Sequence, residues 1–332
     1  MRIRGIGLLV IAMALSGTML APPSQAAQRT PTLRIGIAYD TGGPGDHSFN
    51  DAVANGISMA KKRFHFQVIA TVTIGTEADR LLRLKNLVAL GANSIIAVGS
   101  GYASVVQAVA QIYPSSQFAI INDATVSMLN VASLVFAEDQ GGYLAGIAAA
   151  YTTKKGRIGL LGSPAQSDKY ELGFMAGARS VKKNLAFDIT YVKDSFGSAA
   201  AAMIARGVDV IFLTTAGSDS DVINAIAAAN RSGAGAGLIV VEPDQYVTLP
   251  SGTKKYIVAS VMKRVDKVVV DFISQNSAGQ TVIDILDPKL GIYGRQYGIQ
   301  NGGIEISLWS PQLAKYRKSI YMAALRVGKL AK

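Results

Sequence analysis

The segment Asp40-Thr41-Gly42-Gly43-Pro44-Gly45-Asp46-His47-Ser48-Phe49-Asn50-Asp51 lies between two patterned runs. Before it, residues 33–39 form an apolar run of strand length. After it, Phe49, Ala52, Val53, Ile57 and Ala60 recur at the spacing of one helix face. A strand, a glycine-rich turn and a helix start therefore follow one another, the repeating unit of α/β sheets. The glycines permit backbone angles that side chains forbid and let a ligand come close. The helix start offers N–H donors without partners, and Asp46 or Ser48 is placed to cap it. Phe49 is a large ring in a polar loop, where no core demands it.

Outward from this unit the alternation repeats. Strands are expected at 67–74, 94–98, 118–121 and 131–136. Thr76-Glu77-Ala78-Asp79 reads as a capping box for a helix whose apolar face is Leu81, Leu84, Leu87 and Val88. Gly99-Ser100-Gly101-Tyr102 is a second glycine turn, and its helix stops before Pro114. The pattern then restarts. An alanine- and glycine-rich helix at 140–153 must pack closely on a neighbour. Strands follow at 157–161, 187–192, 208–214, 238–241 and 256–261, with helices at 168–183, 198–206, 222–231 and 265–273. The tail holds glycine-rich turns near Tyr293 and at Gly302-Gly303, a strand, and a last helix from Pro311. Such alternation predicts parallel sheets covered on both faces. About ten strands exceed one ordinary sheet, so two lobes are expected, with a boundary near Ala137-Glu138. Ligands of such sheets bind beyond the carboxyl ends of the strands. There the sequence collects Asp40, Gly99-Ser100, Asn122-Asp123, Gly162-Ser163, Gly217-Ser218, Glu242 and Asp244.

The 332 residues contain no cysteine, which excludes disulfides, thiol catalysis, cysteine metal sites and acylation of a cysteine. The formal charge is +11, but Lys and Arg are scattered, with short clusters only at Lys61-Lys62-Arg63 and Lys182-Lys183. A solvated basic surface accounts for this better than a nucleic-acid partner. Arg2 and Arg4, an apolar stretch at 6–20 and Ser24-Gln25-Ala26 read as a secretory leader, cut after Ala26. No later stretch is apolar enough to span a bilayer. The mature chain is expected outside the cytoplasm, periplasmic or secreted, and not as a lipoprotein. Catalytic equipment is sparse. There are two histidines, His47 in the glycine turn and His65 between a helix and a strand. Nucleophile-elbow, dinucleotide and phosphate-loop motifs are missing, as is metal-ligand spacing of histidines. Neither a catalytic residue, a metal nor a cofactor is expected. Acids at strand ends without a base or a phosphate cradle suit hydrogen bonding of a neutral polar ligand.

Several segments together resemble the basic-membrane-protein family of substrate-binding proteins, whose characterised members are purine-nucleoside receptors of ABC importers. They are 40–50, Phe118-Ala119-Ile120-Ile121-Asn122-Asp123, 138–146, Gly173-Phe174-Met175-Ala176-Gly177, Asp244-Gln245, Ser260-Val261-Met262-Lys263 and 297–303. The resemblance covers nearly all of the mature chain. It implies the type I periplasmic binding fold, two doubly wound parallel-sheet lobes joined by a hinge. The lobes are expected at 31–137 with 257–286, and at 138–256 with 287–332. It implies no enzyme activity, a monomer, and an ABC permease as partner. It implies a ligand set of Asp40, Ser48, Phe49, Asn50, Ser100, Asn122, Asp123, Gly217, Glu242, Asp244 and Lys263. Phe49 would stack on a purine, Asn122 or Asp123 would meet the base edge, and Glu242 and Lys263 would hold the ribose. The family carries aspartate where Asn122 and Glu242 fall. A second stacking ring is replaced here by Val222-Ile223, with Phe174 and Tyr246 as alternatives. A sugar or modified nucleoside is the competing ligand class. An extracytoplasmic nucleoside hydrolase and a sensor that signals to a receptor are the competing functions.

Overall fold

The computed structural model describes residues 33–164, 167–215, 219–241 and 244–330. The expected leader at 1–26 lies outside them. From Leu33 onward the chain forms one compact unit. The first sheet begins with β1 (Arg34–Tyr39), α1 (Phe49–Lys61), β2 (Gln67–Val72), α2 (Glu77–Ala89), β3 (Ser94–Ala97), α3 (Ala103–Ile112), β4 (Gln117–Ile121) and β5 (Val131–Phe136). The second follows with α4 (Glu138–Thr152), β6 (Arg157–Gly162), α5 (Ser167–Val181), β7 (Ala186–Tyr191), α6 (Phe196–Ala205), β8 (Val210–Leu213), α7 (Asp219–Arg231) and β9 (Gly237–Val241). Two short helices, α8 (Gln245–Thr248) and α9 (Ser251–Lys254), lead to β10 (Ile257–Lys263). The tail runs α10 (Val265–Ser277), β11 (Leu286–Asp287), β12 (Ile292–Tyr297), β13 (Ile304–Leu308) and α11 (Arg317–Leu330).

The first sheet has the order β11-β12-β5-β4-β3-β1-β2, and the second β13-β10-β9-β8-β6-β7. All pairings are parallel except β11 with β12 and β13 with β10. The fold is the expected α/β class with two sheets. The central strands are largely apolar because helices cover both faces: Ile35, Ile37, Ile95, Ile96, Ile120 and Ile121 are all buried.

The glycine-rich helices explain themselves in α4 and α5. A Cβ on Gly142 or Gly146 would run into the carbonyls of Tyr170 and Phe174, and one on Gly173 or Gly177 into those of Asp139 and Tyr143. Four glycines thus let two helix backbones touch. Phe174 is fully buried between them and stacks on Phe212, so it is core and no ligand platform.

Strand pairing differs from the expected division in two places. β10 belongs to the second sheet, between β9 and β13, although 257–286 was expected with the first. β12 belongs to the first sheet, beside β5, although 287–332 was expected with the second. The turn expected near Tyr293 falls at 288–291, with Gly291 at φ 65, and Tyr293 itself lies in β12. Gly294, at φ 133, lets β12 press against Ser133 of β5, a pairing across 161 positions that periodicity does not reveal. The chain accordingly passes between the sheets three times: at Ala137, at Arg264 and at 298–303. These crossings are tied together, since Ala137 N donates to Tyr297 O, Ile299 N to Gln140 Oε1 and Arg264 N to Gly303 O, each at 2.8 Å.

Candidate ligand-binding cleft

The glycine-rich loop is built by its own acids. The Asp46 carboxylate accepts from the N–H groups of Ser48 (2.8 Å), Asn50 (3.3 Å) and Asp51 (3.2 Å), so Asp46 caps α1 and the Ser48 hydroxyl does not. Asp51 accepts in turn from Gly45 N at 2.6 Å and His47 N at 3.0 Å. Asn50, expected at the ligand, is 2 % exposed. Its amide is committed to the loop, accepting from Asp40 N at 3.0 Å and donating to Thr41 O at 3.3 Å. With the loop so braced, Phe49 opens α1 half-buried, its backbone position set by the cap.

Asp40 is drawn aside. Its carboxylate pairs with Arg80 at 2.8 Å, and Arg80 also donates to Gly75 O and lies over the Tyr102 ring. Burial, followed by the nearby Asp40 charge, pushes the Tyr102 hydroxyl well above its usual range. Ser100 is exposed on the neighbouring turn. Neither lines the cavities described next.

The other residues converge on Lys263. This buried side chain at the end of β10 pairs with Glu138 Oε1 and donates to Asn122 Oδ1 at 3.2 Å. Its Nζ lies 5.7 Å from the ring centroids of Phe49, Phe136 and Tyr170. A cation deprived of water is compensated here by a carboxylate, an amide oxygen and three ring faces. Glu138, Phe136 and Tyr170 are the members of this group absent from the expected site residues, although Glu138 stands at the start of α4 within a quoted family segment. Lys169 approaches its second oxygen at 3.5 Å. A buried acid directly before a glycine-rich helix was the available signal.

Two cavities flank the Lys263–Glu138 pair. One of about 410 Å³ is lined by Asn122, Asp123, Phe136, Glu138, Lys169 and Gln296. The other, about 270 Å³, has His47, Asp51, Ala52 and Asp266 on one wall and Asp244, Met262 and Lys263 on the other. Both draw residues from both sheets. A larger cavity of about 1110 Å³ lies along β13 and α11 and is mostly apolar, without this convergence of charges and rings. Asp123 turns back on its own loop, accepting from Thr125 N at 2.8 Å and Thr125 Oγ1 at 2.6 Å. Asp244 accepts from the Trp309 indole at 3.1 Å, and Trp309 stacks face to face on Tyr246 at 3.9 Å. Tyr246 is thereby spent on Trp309. Val222 and Ile223 are buried in the core of the second sheet, away from the cleft. Gly217 and Glu242 lie outside the described residues.

Among the described residues no cluster of three acids or histidines could hold a metal ion. His47 is largely exposed and faces Asp51 at 3.7 Å, and His65 is exposed too, so neither is set beside a nucleophile. No described helix is long and apolar enough to cross a membrane.

Two parallel-sheet lobes linked by three crossings, with polar and aromatic side chains meeting between them, are the build of a solute-binding protein. Solved structures share the fold. A transcriptional activator of the comK gene from Bacillus halodurans superposes with a TM-score of 0.72 at 22 % identity, over 88 % of this chain and 96 % of that one. A solute-binding protein of an ABC transporter system from Conexibacter woesei gives 0.69 at 17 % identity, over 91 % and 98 %. Residues 35–322 match the Bmp family, described as ABC transporter substrate-binding protein PnrA-like, and the chain belongs to that family. Curated relatives agree. The ABC transporter nucleoside-binding protein BmpA of Lactococcus lactis is 28 % identical over 83 % of this chain and 82 % of its own. The CD4+ T-cell-stimulating antigen of Listeria innocua is 31 % identical over 74 % of each. The chain is therefore a substrate-binding protein of an ABC transporter, not an enzyme. A small-molecule ligand and an ABC permease are its partners, and its class works outside the cytoplasm.

Proposed function

We propose that this chain binds a purine nucleoside between its lobes and delivers it to the permease. The observation that carries the reading is the meeting of Phe49 and Asn122 at Lys263. A half-buried ring offers a face on which a base can stack, and such stacking contributes about 1–3 kcal/mol. An amide lies beside it for the base edge, and a buried ammonium is close by for a hydroxyl-rich sugar. The name of the Lactococcus relative, a nucleoside-binding protein, supports the same ligand class. Asp123 and Asp244 border the space, and Glu242 and Gly217 are assigned to it by the family resemblance. Asp40, Ser48, Asn50 and Ser100 form the loops behind it.

One lobe comprises 33–137 with 265–298 and the other 138–264 with 299–330, and the three crossings act as the hinge on which they close. The protein acts as a monomer. With no cysteine in the sequence, it is free outside the cytoplasm, or held by an uncleaved leader or by its permease, rather than by a lipid on a thiol.

A thermal-shift screen against nucleosides, free bases, nucleotides and sugars tests the reading. A ligand present at 100 times its dissociation constant stabilises by about 2.7 kcal/mol, a visible rise in Tm. Purine nucleosides are expected to give that rise. A rise with sugars alone, or with none of the compounds even after unfolding and refolding to remove a trapped ligand, would refute it.

A further inference from the structure

The last helix, α11, has a buried side and an outer side that does not suit water. Ile320 and Ala324 face the core and are buried. A helix with one packed face should turn polar groups outward. Instead Tyr321, Met322 and Leu325 are 63 %, 42 % and 37 % exposed, at the spacing of neighbours on one outer face. Lys318, one turn earlier, and Arg326 are exposed beside them, as are Lys315 and Arg317 at the helix start. None of these four cations pairs with a carboxylate among the described residues. The sequence holds no Asp or Glu after Glu305, but Lys315, Arg317, Lys318, Arg326, Lys329 and Lys332 all follow it. Glu305 itself is committed to Arg264 and Lys267. Grooves run along both flanks of α11. The apolar one of about 1110 Å³ has Ile304, Ile306 and Leu308 in its wall and Lys315, Arg317 and Lys318 at its edge. The other, about 420 Å³, includes Met322 and Arg326 and no acid.

We propose that the outer face of α11 docks on an anionic phospholipid bilayer and holds the chain beside the membrane without a covalent lipid. The proposal is independent of the nucleoside reading. Charge of one sign around apolar side chains matches a surface that is anionic outside and apolar a few ångströms in. The cations meet lipid phosphates, Met322 and Leu325 enter the acyl boundary, and the Tyr321 ring sits at headgroup level with its hydroxyl in water. A water-soluble polyanion would satisfy the cations and leave the three apolar side chains unmatched. Each cation near such a surface contributes about 1 kcal/mol, which is roughly fivefold in affinity, so four exposed cations suffice for reversible attachment without a buried anchor.

Sedimentation with vesicles tests the proposal, using the chain from Ala27 onward, which contains the whole compact unit and lacks the apolar leader. The chain is expected to pellet with vesicles of phosphatidylcholine and phosphatidylglycerol, to stay in solution with phosphatidylcholine alone, and to be released at about 1 M salt, where charges are screened beyond about 3 Å. Lys318→Gln with Arg326→Gln should weaken vesicle binding roughly 25-fold, and Tyr321→Ser with Leu325→Ser should weaken it several-fold. All four side chains are exposed and line neither cleft cavity, so the urea midpoint and ligand binding in the cleft should not change. No pelleting with the anionic vesicles, or pelleting unchanged in Lys318→Gln with Arg326→Gln, overturns the proposal. Binding that is unchanged in Tyr321→Ser with Leu325→Ser, or that soluble poly-glutamate matches, assigns the face to an acidic soluble partner and overturns it too. If the serine variant fails to fold, the lipid dependence and the glutamine variant decide.

Discussion

Lys263 and Arg264 are neighbours in the chain and do opposite work. Lys263 ends β10 inside the cleft, buried, with Glu138, Asn122 and three aromatic rings around it. Arg264 begins the crossing to α10, half-buried, in a network with Asp266 and Glu305 that also takes in Lys267. The hydrogen bond to Asp266, against some burial, raises the Arg264 guanidinium further above its usual range. One cation is kept dry at the point where a ligand would sit, and the other is kept wet at the point where the lobes would turn. A dry pair costs much to form and more to break, whereas a wet pair contributes little and can rearrange. Binding needs a fixed wall, and a hinge needs bonds that can be remade.

The largest expected effect attacks the dry pair. Glu138→Leu leaves the Lys263 charge buried without its carboxylate and should lower stability by about 3–5 kcal/mol, read as a fall in urea midpoint. Glu138→Leu combined with Lys263→Met should recover most of that loss, because an apolar pair no longer carries a desolvated charge. A single-variant loss near zero would break the contrast between the two cations.

Next comes Phe49→Ala. It should weaken ligand binding by about 1–3 kcal/mol in calorimetry, while the folded chain stays intact because Phe49 is only half-buried. Asp46→Ala should cost about 1 kcal/mol of stability through the lost cap, and Ser48→Ala close to nothing, in parallel urea titrations. This pair separates the loop's structural acid from its neighbour.

The smallest effect belongs to the wet network. Glu305→Gln should cost about 0–1 kcal/mol at pH 7. Burial alone would raise the Glu305 carboxyl, but hydrogen bonds from Lys267 and Arg264 outweigh it and hold it below the ordinary value of 4.5. A depressed acid adds stability that is complete above the unfolded-state value and is lost as pH falls through the folded-state one. The difference between wild type and Glu305→Gln should therefore shrink as pH falls below the ordinary value of 4.5 and close once the folded-state carboxyl is protonated. A gap that persists at low pH would show that the network acts by shape and not by charge.

Much of this molecule is legible in the chain because the reasons are local. Strand–helix alternation, the capped glycine turn of 40–51 and the Gly142, Gly146, Gly173 and Gly177 spacings each follow from periodicity or from the absence of a Cβ. Phe49 stood out as a ring in a polar loop, and it does face the cleft group. What was not legible depends on distant partners. Nothing near Asp40 announces Arg80, nothing near Asp244 announces Trp309, and nothing near Tyr246 announces the ring that stacks on it. Asn50 looked available because its loop was polar, yet a buried amide takes whichever backbone groups reach it.

The sequence alone determined the α/β class, two lobes and a glycine-rich loop carrying Phe49, because backbone propensity and hydrophobic period act over a few residues. Only the tertiary structure decided that β10 and β12 exchange sheets and that Glu138 joins the cleft. Only it decided that Lys263 meets the Asn122 amide oxygen. Those outcomes depend on which groups meet across more than a hundred residues, and on the need of each buried charge and polar atom for a partner.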